Sequence, residues 1–346
     1  MNYLTSLFFV IVFFMPHSFV KASKEKNDPN HVDRFIKPYQ ESLLKPITTK
    51  LDALKRFKNL VVFGDSMSDQ GLLNKNSFGL LVKPDTFWKS RWSNGPNWVD
   101  YVSKALNLAT YNYAVGGAET RPKEKFYERF LIPDLFKQIK TFKEKNLDLN
   151  PKETLYVIWV GHNNYFWDKN AHVENTIADI KKAATSLARL GAEHVVIGKM
   201  ARLGDSPAVY AGKGKPKKTL REFSENHNDE LINVIKDLKK LPGDKSYYTF
   251  DAFSVSIATQ ENPDDYGFQE LNYPCYRGNI FGFYPDPKFC QKPFTTKYWD
   301  EAHPNTVMFC YYALKFLEDV SMSEGLFSEN RKVCQSLTED EALDQD

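Results

Sequence analysis

The stretch Asn59-Leu60-Val61-Val62-Phe63-Gly64-Asp65-Ser66 decides how the rest of the chain is read. Its short apolar run, rich in Val and closed by Gly64, predicts a strand buried on both faces. In parallel α/β sheets, ligands bind outside the carboxyl ends of the strands. A serine just past such an end faces substrate. It also stands close to a helix N-terminus, whose amides stabilise an anion. A serine hydroxyl is a weak nucleophile, however, and needs a base. Alone, Gly64-Asp65-Ser66 is equally an ordinary N-cap, because Asp and Ser are common cap residues.

Similar apolar runs recur at 155–160, 194–199 and 247–250, with helical stretches between them, the clearest at 177–190 and 220–241. Strands alternating with helices predict crossover units, and so an α/β fold with a parallel sheet covered on both faces. No internal repeat is present. At 346 residues, 42% hydrophobic and 14% aromatic, the chain has material for one large domain or at most two. The 46 basic residues against 44 acidic ones leave a net charge of +2, which excludes a dedicated nucleic-acid binder.

The first residues bear on the compartment. An unbroken apolar run spans 7–15, followed by Val20-Lys21-Ala22. This predicts a signal peptide over 1–22, cleaved after Ala22, although the usual basic residue is missing from its start. The run falls short of the ~20 residues a membrane span needs. The expected location is therefore secreted, either extracellular or periplasmic. Residues 23–57 read as a polar lead-in with a short helix, 58–320 as the folded domain, and 321–346 as a tail whose acidic end, 339–346, is disordered.

An even count of cysteines in an exported chain favours disulfides. Cys275, Cys290, Cys310 and Cys334 allow three pairings. The short loop puts Cys275–Cys290 first, which leaves Cys310–Cys334. Closing a loop of roughly 15 residues stabilises by about 3 kcal/mol in the chain-entropy picture. No close C-x-x-C or paired His suggests zinc, and neither metal nor cofactor is expected. Two segments interrupt the α/β pattern. The loop 212–218 carries Lys213, Lys215, Lys217 and Lys218 and reads first as a solvated loop, second as a steering patch for anionic headgroups. It lacks the glycine spacing of a phosphate loop. The stretch 261–298, rich in Pro, Gly and aromatics, is too long for a mere connector.

A base for Ser66 is available in Asp300-Glu301-Ala302-His303-Pro304. Asp and His three apart in a turn place the carboxylate on one imidazole nitrogen and leave the other free to take the serine proton. Pro304 is expected in the first turn of a helix over 307–317. Asn112-Tyr113-Ala114-Val115-Gly116-Gly117 ends an apolar run in two glycines, where backbone approaches a ligand closely. Gly161-His162-Asn163-Asn164 follows the strongest predicted strand. An Asn163 side-chain amide, with the backbone amides of Gly117 and Ser66, would donate to an oxyanion. Each of these segments is, by itself, also a common turn.

Together and in this order, Gly64-Asp65-Ser66, Gly117, Gly161-x-Asn163 and Asp300-x-x-His303 resemble the GDSL, or SGNH, hydrolase family over roughly residues 58 to 320. The resemblance implies a flavodoxin-like three-layer sandwich with a central parallel sheet. It also implies Ser66 as nucleophile, His303 as base and acid, Asp300 as its orienter, and Ser66, Gly117 and Asn163 as oxyanion donors. Met67 stands where the family has leucine, a change of similar volume. Asn164 replaces the usual aspartate and bears on how Asn163 is held.

Within the family the chain is most similar to the exported bacterial phospholipase A, lysophospholipase A and glycerophospholipid–cholesterol acyltransferase branch. The similarity lies in Phe63-Gly64-Asp65-Ser66-Met67-Ser68-Asp69-Gln70-Gly71, Arg91-Trp92-Ser93-Asn94-Gly95-Pro96-Asn97-Trp98 and the segment 112–118. It implies a lipid ester substrate met at membrane surfaces or micelles. Such a cysteine-bounded loop gates activity in that branch, which implies a lid over 275–290 and an activating protease. Phe78, Phe87, Trp88, Trp92, Phe166 and Trp167 are candidates for an apolar trough, against the plainer reading of core. Two rival readings are a carbohydrate or short-chain esterase on the same triad, and a non-catalytic surface-binding protein.

Overall fold

The computed structural model describes residues 43–48, 51–167, 170–279 and 288–339. The predicted signal peptide, the lead-in up to residue 42 and the acidic end at 340–346 lie outside the described residues.

The apolar run around Val61 is strand β1 (Asn59–Gly64), and the other runs give β3 (Thr154–Trp159), β4 (His194–Gly198) and β5 (Ser246–Phe250). One further strand, β2 (Ala109–Asn112), pairs with β1. Sequence reading passed over it because its four residues are exposed or half-buried and carry no apolar run. It lies at the sheet edge, where one neighbour suffices. All pairs are parallel, in the order β2-β1-β3-β4-β5. This is the flavodoxin-like winding, in which ligands bind where the strand order reverses, beside β1 and β3.

The helices that matter here are α1 (Trp98–Ala105), α2 (Phe126–Leu131), α3 (Leu135–Lys145), α4 (His162–Trp167), α5 (Val173–Arg189), α6 (Lys217–Leu238), α7 (Ala252–Glu261), α8 (Thr306–Ser321) and α9 (Lys332–Glu339). They cover the two sheet faces. Leu60, Val62, Val157, Trp159 and Phe250 pack with Trp98 and Val102 of α1 and with α8. Val61, Phe63, Ile158 and Ile197 pack with α3, α5 and α6. Because successive strand residues point to opposite faces, a run such as Leu-Val-Val-Phe must be apolar throughout. Trp98 and Trp159 are fully buried and meet edge to face, ring centroids 6.1 Å apart. Truncating either to alanine would cost about 3–5 kcal/mol.

Three expectations shift. Helix α8 starts at Thr306 behind an Asn305 cap whose side chain accepts from the Met308 N–H, so Pro304 stands before the cap rather than in the first turn. The body starts earlier than residue 58, since Leu44, Ile47, Leu51, Leu54 and Phe57 are buried in the α1/α8 layer. It also continues past 320: Cys334 and Leu337 on α9 are buried against α8. Apolar residues spaced singly along these polar segments hid both extensions. Two disulfides are present, Cys275–Cys290 and Cys310–Cys334, the latter tying α9 to α8. Among the described residues, no helix is long and apolar enough to cross a membrane.

Candidate active site

Strand β1 ends at Gly64, where a Cβ would stand 2.4 Å from the Trp159 carbonyl oxygen, so no other residue fits between β1 and β3. The Gln138 side chain closes this end, accepting from the Gly64 N–H and donating to its carbonyl, each at 2.9 Å. The chain then turns. The Asp65 carbonyl accepts from the Ser68 and Asp69 amides, and its carboxylate accepts from the Met67 N–H at 3.0 Å. Asp65 thus braces a tight turn at 66–68 rather than capping a helix, the next of which starts only at Leu72, and in doing so it presents Ser66 at the strand end.

Ser66 and His303, 237 residues apart in sequence, meet there. His303 Nε2 lies 2.8 Å from Ser66 Oγ, and both residues are buried, at 6% exposure. His303 Nδ1 lies 2.9 and 2.8 Å from the two Asp300 carboxylate oxygens. Asp300 Oδ1 also accepts from the backbone amides of Ala302 and His303, both at 2.8 Å. The turn that carries them is pinned from several sides. Trp299 donates its N–H to the His303 carbonyl at 2.9 Å. Ser93 Oγ donates to the Pro304 carbonyl, and Asn94 Oδ1 accepts from the Thr306 N–H. The Trp92 ring lies 4.6 Å from the imidazole of His303. The loop at 212–218 is also engaged: Lys213 pairs with Glu301 at 2.6 Å and Lys215 donates to the Tyr165 carbonyl. It buttresses the Asp300–His303 turn, so two of its lysines are committed to the fold.

The three expected oxyanion donors converge on the same end of the sheet. Gly117 has φ +82, a conformation that glycine adopts without strain. Among the described residues, no hydrogen bond occupies the Ser66 or Gly117 backbone N–H. Asn163, in the first turn of α4, uses one amide proton on the Ala118 carbonyl at 3.0 Å and keeps a second. Asn164 explains its own presence. Its Oδ1 accepts from the Thr120 N–H at 3.1 Å, while its Nδ2 donates to Thr120 Oγ1, which in turn donates to Asp179. An aspartate there would set a second carboxylate against that hydroxyl. The two asparagines together clamp the 118–120 loop onto α4.

Sequence reasoning missed two residues that shape the site. Asp69 is fully buried. It accepts from the backbone amides of Gly71, Leu72, Leu73 and Gly116 and lies 3.4 Å from Trp92 Nε1, joining the Ser66 turn to the Gly116–Gly117 turn. Burial pushes its carboxyl above the ordinary range, with those amides pulling the other way. His162 places Nδ1 2.8 Å from Asp65 Oδ2, directly behind the nucleophile turn. Its Nε2 is buried without a partner among the described residues. Only its place inside the Gly161-x-Asn163 block pointed to it. The aromatic candidates disperse: Phe87 and Trp92 are core, Phe78 is 83% exposed, and Trp88 is half-buried beneath Arg91 and Lys89. Phe166, with Met67, Met308 and Tyr312, lines a cavity of about 40 Å³, while the Trp167 side chain lies outside the described residues. A polar cleft of about 730 Å³ opens on the other side of the Asn163–Asn164 pair, lined by Glu119, Thr120, Arg121, Lys125, Asn164 and Asp179 among others. No group of three His, Cys, Asp or Glu able to hold a metal occurs among the described residues. Of the loop at 275–290, residues 280–287 lie outside the described residues, and its two ends pack on Trp299 through Tyr276 and Phe289.

A buried Asp–His–Ser chain at the switch point of a 2-1-3-4-5 sheet defines a serine ester hydrolase scaffold. The model of the GDSL-like Lipase/Acylhydrolase family matches residues 60–308, well over half of the chain, and the chain belongs to that family. Its chemistry is carboxylic ester hydrolysis. It is similar to phosphatidylcholine-sterol acyltransferase of Aeromonas hydrophila, 26% identical over 235 residues, covering 66% of this chain and 68% of that protein. It is also similar to thermolabile hemolysin of Vibrio parahaemolyticus, 25% identical over 272 residues, covering 76% of this chain and 64% of that protein. The chain therefore spans about two-thirds of the length of these relatives. Among solved structures it is similar to a member of the lipolytic protein G-D-S-L family from Veillonella parvula, with a TM-score of 0.44 and 13% identity, covering 75% of this chain and 97% of that one.

Proposed function

We propose that the protein is an exported enzyme that releases fatty acids from lysophospholipids or phospholipids through an acyl-enzyme on Ser66. The observation that carries the serine mechanism is the continuous Asp300–His303–Ser66 chain at 2.8 to 2.9 Å. Ser66 Oγ attacks the ester carbonyl and gives its proton to His303 Nε2. The oxyanion gathers donation from the Ser66 and Gly117 amides and from Asn163. The C–O bond then breaks, and the leaving alcohol takes the proton back from His303. Water, deprotonated by His303, attacks the acyl-enzyme, and the carboxylic acid leaves as Ser66 regains its proton. An alcohol replacing that water gives acyl transfer instead.

Lipid substrates are favoured by the two bacterial relatives named above and by the polar cleft beside the oxyanion donors, which suits the polar part of a lipid ester. Export is supported by the two disulfides, which persist in oxidising compartments. The polar lining of that cleft also favours one second reading, an esterase acting on acylated carbohydrate. Fatty-acid release from lysophosphatidylcholine, with Ser66→Ala alongside, tests the proposal. Release by the parent and none by the variant is expected. Turnover of an acetylated sugar with no release from the lysophospholipid would replace it by the second reading.

A further inference from the structure

Four large apolar side chains stand in solvent on one flank of the site: Phe78 at 83% exposure, Leu80 at 46%, Phe126 at 82% and Phe130 at 68%. Phe126 and Phe130 lie one turn apart on α2 and so share a face. The segment bearing Phe78 is joined to α2 by the Asn76 side chain, which donates to the Leu131 carbonyl at 2.9 Å. Phe78 and Val82 both hold left-handed backbone, at φ 54 and 53, a strain that surface loops keep where they serve a function.

This flank is continuous with the catalytic centre. Leu72, Leu81, Leu131 and Ile132 beneath it pack on the cluster that contains Trp92, the ring set against His303. Ile132 also abuts Gly117, its Cδ1 3.2 Å from where a Cβ would stand. The start of α2 lines the polar cleft as well, through Glu128 and through Lys125, the residue just before the helix. The charge on the flank leans basic: residues 72–89 and 121–131 hold seven basic residues against three acidic ones. Although Arg121, Lys123 and Lys125 pair with Asp179, Glu119 and Glu128, Lys75, Lys89 and Arg129 form no ion pair among the described residues. Exposed aromatics inside a basic rim match an anionic lipid–water interface, where rings enter the headgroup boundary and lysines meet anionic headgroups. A second copy of the chain would bring like charges together.

We propose that this flank docks the enzyme onto anionic lipid surfaces, delivering the polar cleft and Ser66 to the interface. The inference rests on the lipid-ester reading above, and it is tested without turnover. Ser66→Ala protein, with and without Phe126→Ser and Phe130→Ser, is sedimented with vesicles of phosphatidylcholine containing or lacking phosphatidylglycerol. Both substituted positions are exposed, and circular dichroism checks the fold of each protein. The parent is expected to bind the anionic vesicles, more weakly as salt rises from about 0.1 M to 0.5 M. Partitioning should fall about tenfold or more in the double variant. Equal binding by both proteins, or a variant that changes only the oligomeric state in sedimentation velocity, overturns the proposal. Hydrolysis of monomeric lysophospholipid without vesicle binding overturns the docking surface alone. Vesicle binding without any such hydrolysis supports the surface and contradicts the substrate reading.

Discussion

Two buried Asp–His pairs stand on either side of Ser66, and they differ at one atom. In Asp300–His303 the imidazole Nδ1 lies 2.8 Å from the carboxylate, and Nε2 reaches Ser66 Oγ at 2.8 Å. In Asp65–His162 the Nδ1 distance is again 2.8 Å, but Nε2 meets no partner among the described residues. The first pair is local in sequence, and the second joins residues 97 apart. A carboxylate on one nitrogen sets the tautomer, so both rings are oriented in the same way. In the proposed mechanism, what makes one of them a base is the hydroxyl at the other nitrogen. The second pair fixes the turn that holds this hydroxyl, which is a positioning task.

The comparison breaks first at its strongest point. Ser66→Ala or His303→Ala should lower ester turnover by about 10⁴–10⁶, read from kcat on a soluble ester. Asp300→Asn should cost about 10⁴, because the amide no longer selects the tautomer that accepts from Ser66. For Asn163→Ala the expected loss in kcat is about 10²–10³, the typical value for one oxyanion donor. His162→Asn should behave differently: turnover within about tenfold of the parent, but a stability loss of about 1–3 kcal/mol in denaturant unfolding, since Asp65 loses its buried partner. A loss in kcat as large as that of His303→Ala would erase the distinction between the pairs.

The smallest effect concerns the residue behind His162. His227 is fully buried, its Nδ1 lies 2.8 Å from the Tyr165 hydroxyl, and its pKa is held down to about 3, by burial first and the nearby His162 second. The unfolded chain takes up its proton near 6.5, whereas the folded one does not until about 3. Its contribution is therefore complete above 6.5 and shrinks as pH falls toward 3, by about 2 kcal/mol at pH 5. Unfolding free energies at pH 7 and 5 should differ less in His227→Gln, whose side-chain amide can still pair with the Tyr165 hydroxyl in either direction.

Much of the fold was legible because β1, β3 and β4 are buried along nearly their whole length and so read as apolar runs, while the half-buried edge strand β5 still shows Tyr247, Tyr248 and Phe250. Strand β2 was not, because an edge strand half-open to solvent needs no such run. The outer segments at 43–57 and 321–339 were read as lead-in and tail because their few buried residues are spaced too widely to form a period. The sequence proposes the site residues by type and order, and the structure brings Ser66, His303 and Asp300 of that set within hydrogen-bond distance. What stayed hidden were contacts between distant segments that have no local pattern: His162 on Asp65, Asp69 on Gly116, Asn94 on Thr306. The aromatic trough failed for the opposite reason. Nearness in sequence grouped side chains that the fold sends separately to core, surface and cavity.

Labelling by a fluorophosphonate, which a serine attacks with loss of fluoride, tests the division between the two histidines most directly. Intact-mass and peptide spectra should place the adduct on Ser66 in the parent and in His162→Asn, and show none in His303→Asn. Labelling that survives in His303→Asn and vanishes in folded His162→Asn would contradict the account.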